Sequence, residues 1–186
     1  MIITICGTPG SGKSSIAKIL AEKLGWPRYY GGGILRQQAQ EKGMTLMEYI
    51  KLGETDPSVD HDVDEFIKKK GETEDNFIVE GRTAWLIIPH SLKIYLTIDE
   101  KRAAFLIFRD LQKGVKRNEA NDINSEEDML ANIRSRMETD KLRYRKYYNT
   151  DVNDPGHYDF VLDTTKLTIP EAADKIYEFI KGKLPK

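Results

Sequence analysis

Residues 7–14 read Gly-Thr-Pro-Gly-Ser-Gly-Lys-Ser, which satisfies every fixed position of G-x-x-x-x-G-K-[ST]. Glycines at this density let backbone N–H groups converge on one point, and converging N–H dipoles bind phosphate oxygens. An amphipathic run follows at once, so the positive end of a helix dipole adds to the same spot. The expected contacts to a nucleoside triphosphate come from Gly7, Thr8, Pro9, Gly10, Ser11, Gly12, Lys13, Ser14 and Ser15. Lys13 is placed to bridge its β- and γ-phosphates, and the Ser14 hydroxyl to hold Mg²⁺.

Such a cradle serves switches, motors and kinases alike, so the fate of the phosphate has to be read elsewhere. The Asn-Lys-x-Asp base reader of a GTPase switch does not occur, nor does an Asp-x-x-Gly after the third strand. Arginines occur instead. Transfer between two polyanions crowds negative charge into an in-line transition state, and cations are needed around both partners. Arg36 follows Gly31-Gly32-Gly33, where bare backbone lets a ligand come close, and its planar guanidinium suits a monophosphate. The plainer alternative is a surface arginine on a helix. In "FIVEGR", Glu80 can reach the hydration shell of Mg²⁺, and Arg82 points into the same crevice at the strand ends. Otherwise the two are a strand-end charge pair. Trp85 lines an acceptor pocket or packs. Arg136, Asp140 and Arg143 stand at i, i+4 and i+7, within one narrow helical stripe. They either aim at the site or form a salt-bridge ladder on a solvated face.

Five short β-rich runs, "MIITIC", "PRYY", "NFIVEG", "LKIYLTI" and "YDFVLDT", alternate with helical periodicities. That alternation predicts an α/β, three-layer fold: a five-stranded parallel sheet with helices on both faces. The chain is expected to form a single domain over 1–186. An acceptor-binding helical insert is expected over about 31–72, with helices in 45–70, and a lid region over about 114–145, which opens on the polar loop 114–124. Ser125 with Asp128, and Thr168 with Glu171, mark two helix starts. On the long helix from Ser125, Met129, Ile133, Met137 and Tyr144 form the stripe expected to pack on the body.

The 186 residues carry 29 Lys+Arg against 30 Asp+Glu, so no basic excess argues for a nucleic-acid surface. One cysteine, Cys6, permits no internal disulfide and reads as a buried thiol. His61, His90 and His157 share no metal-ligand spacing. No run approaches a membrane span. A cytoplasmic monomer without nucleic-acid or membrane partners is the expectation.

"GTPGSGKSSIAKILAEKLG", "ILR", "EGR", "RSRMETDKLRYRKYY" and "FVLDTTKLTIPEAADKI" fall in an order and spacing that resembles the nucleoside monophosphate kinases. Within them the chain is most similar to the cytidylate kinases of the short archaeal type, almost end to end. The resemblance implies ATP + CMP (or dCMP) → ADP + CDP (or dCDP) with Mg²⁺. Under it Arg36 and Arg82 hold the acceptor phosphate beside Gly31 and Gly32, and Asp140 sits near the cytosine. Arg136 and Arg143 lie near the transferring phosphates with Lys13. Arg109 or Arg117 enters as the lid closes, and Thr165–Leu167 lies against the adenine. Two departures touch the acceptor side: Tyr30 and Gly31 stand where the family usually has serine, and Thr83-Ala84-Trp85 follows "EGR". UMP or AMP as acceptor remains open on this reading. So does a hydroxyl acceptor, with Asp60, Asp62 or Asp64 as base, although a helix at 57–70 explains those residues as its polar face. A nucleotide-binding regulator without an acceptor is the reading of a different class.

Overall fold

The computed structural model describes residues 1–114 and 123–184. Strand β1 (Ile2–Gly7) is buried at every position, as a β-branched apolar run is when it has neighbours on both sides. Its partners, both parallel, are β3 (Phe77–Glu80) and β4 (Leu92–Thr97). With β2 (Arg28–Tyr30) and β5 (Phe160–Asp163) at the edges, the sheet order is β2-β3-β1-β4-β5, parallel throughout.

Alternate side chains serve opposite layers. Ile3, Ile5, Ile78, Ile94 and Leu96 pack with Ile16, Ala17 and Leu20 of α1 (Lys13–Leu24) and with Ala172, Ala173, Ile176 and Ile180 of α8 (Ile169–Lys181). Ile2, Phe77 and Val79 meet Val63 and Ile67 of α4 (Ser58–Thr73) and Ala84 of α5 (Ala84–Ile87) on the other face. Cys6 is buried there with Trp85 and Tyr95. The sheet is therefore covered on both faces, as expected.

Helices α2 (Gly31–Glu41), α3 (Leu46–Leu52) and α4 form the insert between β2 and β3. Thr45 opens α3 with a capping box to Glu48, and Thr168 opens α8 with the same device to Glu171. Helix α6 (Glu100–Gln112) packs on α7 (Glu126–Tyr148) through Ala103, Ala104, Ile107, Met129 and Ile133, with Met137 at the margin. Ser125 caps α7 by accepting from the Asp128 N–H. The short α5 and a 3₁₀ turn at Pro155–His157 are absent from the sequence reading. Most of the loop expected at 114–124, with Arg117, lies outside the described residues.

Candidate active site

The residues of the expected cradle form the turn from β1 into α1. Gly12 is the N-cap of α1 with φ +80, a left-handed backbone that glycine adopts without strain. A Cβ there would sit 2.5 Å from Ile169 Cδ1, so the isoleucine tip would also have to move. The loop is tied down at both shoulders: the Thr8 N–H donates to the Leu96 carbonyl at 3.0 Å, and the Thr164 hydroxyl to the Ser11 carbonyl at 3.2 Å. The second bond brings the segment after β5, with Thr165–Leu167, alongside the cradle. Ser15, next after Ser14, is exposed.

Lys13 folds back over the loop and donates to the Thr8 carbonyl at 2.6 Å and the Ser11 hydroxyl at 3.4 Å. Burial pushes its ammonium down to about 7, and the positive charges of Arg82 and Arg136 press it further in the same direction. Three cations from three segments thus share one locality, which stores an electrostatic demand for a polyanion.

On the next strand Glu80 is buried, and the Ser14 hydroxyl donates to its Oε2 at 2.7 Å. Burial raises this carboxyl, while Ser14 and Arg28 oppose that shift. Arg28 Nη1 lies 2.8 Å from Glu80 Oε1 and equally 2.8 Å from the Ser14 carbonyl. The charge-pair reading of Glu80 is thereby realised with Arg28 rather than Arg82. A hydroxyl and a carboxylate side by side are hard oxygen donors. They suit Mg²⁺, which takes few protein ligands and keeps several waters. Among the described residues no group of three or more His, Cys, Asp or Glu gathers as a fuller metal cage.

Arg82 leaves the end of β3 and pairs with Asp140 at 3.0 Å. Asp140 also pairs with Arg143 at 3.1 Å, and Arg143 with Asp60 of α4 at 3.0 Å. The four alternate in charge, so a buried ladder runs from the insert to the strand end. Arg143 is only 1 % exposed. Its remaining donors go to the Ile50 carbonyl at 3.0 Å and the Tyr144 hydroxyl at 2.8 Å. The stripe read from the sequence is therefore split. Arg136 is half-buried and acts on Lys13, whereas Arg143 is enclosed by α3 and α4.

The expected bare backbone at Gly31 and Gly32 is corrected in the same way. Helix α2 begins at Gly31, and a Cβ on Gly31 would lie 2.9 Å from the Glu80 carbonyl oxygen. Cβ atoms on Gly32 and Gly33 would meet the Tyr30 ring at 3.0 and 2.8 Å. The protein itself fills the space these glycines leave. Arg36, one turn into α2, donates to the Tyr30 hydroxyl at 2.6 Å and the Gly32 carbonyl at 3.2 Å. Trp85 packs: it is buried, and its ring stacks on His157 at 4.7 Å. Arg109 on α6 meets Asp110 at 3.4 Å.

Three contributions escaped the sequence reading. Arg28 offered no signal, being one charge in a three-residue edge strand. Asp60 and Asp64 are more than a polar face. Asp60 is 5 % exposed and pushed up to about 6 by burial, against the pull of Arg143. Asp64 accepts from the Thr83 hydroxyl at 2.8 Å and from the Tyr148 hydroxyl. Their i, i+4 spacing beside Val59, Val63 and Ile67 was the available signal. Of the three acids only Asp62 is solvated, with Gln38 donating to it at 2.7 Å.

A glycine-rich anion cradle after the central strand of a parallel sheet, with arginines at the strand ends, defines a P-loop phosphotransferase. A family model described as "Cytidylate kinase-like family" matches residues 2–166, and the chain belongs to that family. It is 36 % identical to a cytidylate kinase of Methanocella arvoryzae over 97 % of each chain. It is 34 % identical to one from Natronomonas pharaonis, over 96 % of this chain and 88 % of that one. The fold is also similar to a crystal structure of shikimate kinase from Bacteroides thetaiotaomicron, with TM-score 0.65, 12 % identity and coverage of 97 % and 98 %. No described helix is long and apolar enough to cross a membrane.

Proposed function

We propose that the protein transfers the γ-phosphate of ATP to CMP or dCMP, giving ADP and the nucleoside diphosphate. The observation that carries this reading is the gathering of Arg82 and Arg136 around Lys13, where both press on its ammonium. A site that only bound and released ATP would need the cradle and lysine alone; the further cations suit a second phosphate facing the first.

In this reading the cradle holds the donor, with the adenine against Thr165–Leu167. Ser14 and Glu80 would hold Mg²⁺, Glu80 through water, and the ion when bound screens charge between the β- and γ-phosphates. Arg82, fixed by Asp140, meets the acceptor phosphate with Arg36. Asp140, buried between Arg82 and Arg143, acts on the acceptor side through Arg82, and Arg143 holds it in place. No covalent intermediate is required. Closure of the lid region would exclude water, so that transfer outruns hydrolysis. Both substrates are metabolites of the cytoplasm, where we infer the enzyme works.

A hydroxyl acceptor would need a free carboxylate as base. Asp60 is engaged by Arg143, and Asp64 by Thr83 and Tyr148, which leaves neither available for that work. The deciding experiment measures ATP consumption with CMP, dCMP, UMP, AMP, shikimate and no acceptor. Turnover confined to CMP and dCMP is expected. Equal turnover with shikimate, or none above the acceptor-free rate, overturns the proposal.

A further inference from the structure

Tyr30 closes β2 and is the N-cap of α2, in register with Glu80 at the carboxyl edge of the sheet. Its ring does not turn away from the helix it precedes. It lies along the first turn, against the faces that Gly32 and Gly33 leave open. Any side chain at Gly33 would come within 2.8 Å of Cδ1 of the ring, so the two glycines and the aromatic ring form one unit. The ring also has the Arg28 guanidinium 6.0 Å from its centroid. Tyr30 thus stands between the arginine that holds Ser14 and Glu80 and the arginine one turn into α2.

The hydroxyl end does chemical work. Its oxygen accepts from Arg36 Nη1 at 2.6 Å, so its own proton must point away from the guanidinium. An anion placed beside Arg36 would then meet two kinds of donor, a charged N–H and a polarised O–H. Tyr30 is 37 % exposed, so a ligand can reach that face.

We propose that Tyr30 is a positioning and specificity-determining residue for the acceptor phosphate, its ring bracing the start of α2 and its hydroxyl orienting Arg36 and adding a second donor. This rests on the reading that Arg36 binds the acceptor. A phenol at this place adds reach that a serine hydroxyl at the same backbone position lacks, because it extends to a residue six positions along the chain. The grip is directed at the phosphate and not at the base or the sugar.

The test compares Tyr30→Phe, Tyr30→Ala and Arg36→Ala in the full-length enzyme, measuring KM for CMP, KM for ATP, kcat, and inhibition by cytidine, which has the base and sugar but no phosphate. Loss of a hydrogen bond to a charged group corresponds to about tenfold in affinity. Tyr30→Phe is expected to raise KM for CMP by about that factor, with KM for ATP and the cytidine inhibition constant unmoved. Tyr30→Ala should raise it further, since the ring is lost as well; Tyr30→Phe keeps the test interpretable if that variant folds poorly. If Arg36→Ala raises KM for CMP and Tyr30→Phe does not, the role of Tyr30 is overturned and that of Arg36 stands. If Tyr30→Phe weakens cytidine as much as CMP, the residue is merely structural and the proposal also fails. If neither variant alters KM for CMP, the assignment of Arg36 itself is wrong.

Discussion

Arg28 and Glu80 meet between adjacent strands, with the Arg28 guanidinium 2.8 Å from Glu80 Oε1 and, through the same nitrogen, 2.8 Å from the Ser14 carbonyl. One side chain thereby fixes both the hydroxyl-bearing residue of the cradle and the carboxylate that accepts from it. Arg28 touches neither substrate in the proposed arrangement, so it acts by positioning. Arg28→Ala is expected to lower kcat about tenfold or more, on the scale of one charge-assisted hydrogen bond, and to raise the Mg²⁺ concentration needed for half-maximal rate. Arg28→Lys should recover only part, because a compact, strongly hydrated ammonium does not reproduce the position that Nη1 takes at the end of a planar guanidinium. Steady-state rates at graded Mg²⁺ decide the matter; an unchanged Mg²⁺ dependence in Arg28→Ala would remove Arg28 from this role.

Lys13 supplies a prediction about protons. With no anion bound its ammonium is pushed down to about 7 by burial and by Arg82 and Arg136. A triphosphate in the cradle reverses the balance and restores the charged form. Binding above pH 7 must therefore take up a proton, and ATP affinity should fall as pH rises from about 7 to 9, toward tenfold per pH unit. Calorimetry in two buffers of different ionisation enthalpy, at pH 8, reads the uptake directly. Proton release, or none, would show that Lys13 stays charged in the free enzyme. Lys13→Ala should lose both the uptake and turnover while melting as a folded protein.

The sequence made the cradle, the strands and the helices of both layers legible because each rests on local rules. The fixed positions at Gly7 to Ser14, the apolar run of β1 and the capping threonine at 168 decide their own structure. Long-range partners were not legible. A helical stripe gave the angle shared by Arg136, Asp140 and Arg143, but not that α3 and α4 would close over Arg143 and leave Arg136 near Lys13. The glycines at 31–33 announced an empty space, and only the path of Tyr30 shows that the protein fills it. Helix α5 escaped because four residues carry no period.

Arg82 separates donor from acceptor. It is anchored by Asp140 at 3.0 Å and stands at the strand end, while the cradle makes its own contacts to the donor. Arg82→Ala is expected to raise KM for the acceptor roughly a hundredfold, as truncating one member of a buried charge pair costs roughly 2–5 kcal/mol. The dissociation constant for ATP should change far less than the acceptor KM, since the cradle and Lys13 keep their own contacts to the donor. Equilibrium binding of ATP beside acceptor kinetics checks both arms. A comparable loss of ATP affinity would place Arg82 on the donor.

Asp60 and Arg143 form a buried ion pair whose two members should respond oppositely to removal. Arg143→Ala strands Asp60 without a counter-charge and leaves Asp140 with Arg82 alone, and a loss of about 3–5 kcal/mol of stability is expected. Asp60→Asn leaves Arg143 with Asp140, its carbonyl and its hydroxyl. The carboxyl of Asp60 rises from an ordinary 3.8 to about 6 on folding, burial outweighing Arg143. The folded state therefore binds this proton more tightly than the unfolded chain does. Its contribution is complete below about pH 3.8 and is lost as pH rises through about 6. Carboxyls held below their ordinary range, such as Glu48, Glu100 and Asp163, gain stability over the same rise, so the wild-type curve alone does not isolate Asp60. The difference from Asp60→Asn does. Near pH 4 the two proteins should be equally stable, and by pH 7 the variant should lead by up to about 3 kcal/mol. Urea denaturation at half-unit steps of pH measures the gap. Parallel curves would mean that Asp60 keeps an ordinary carboxylate affinity, with Arg143 fully offsetting its burial.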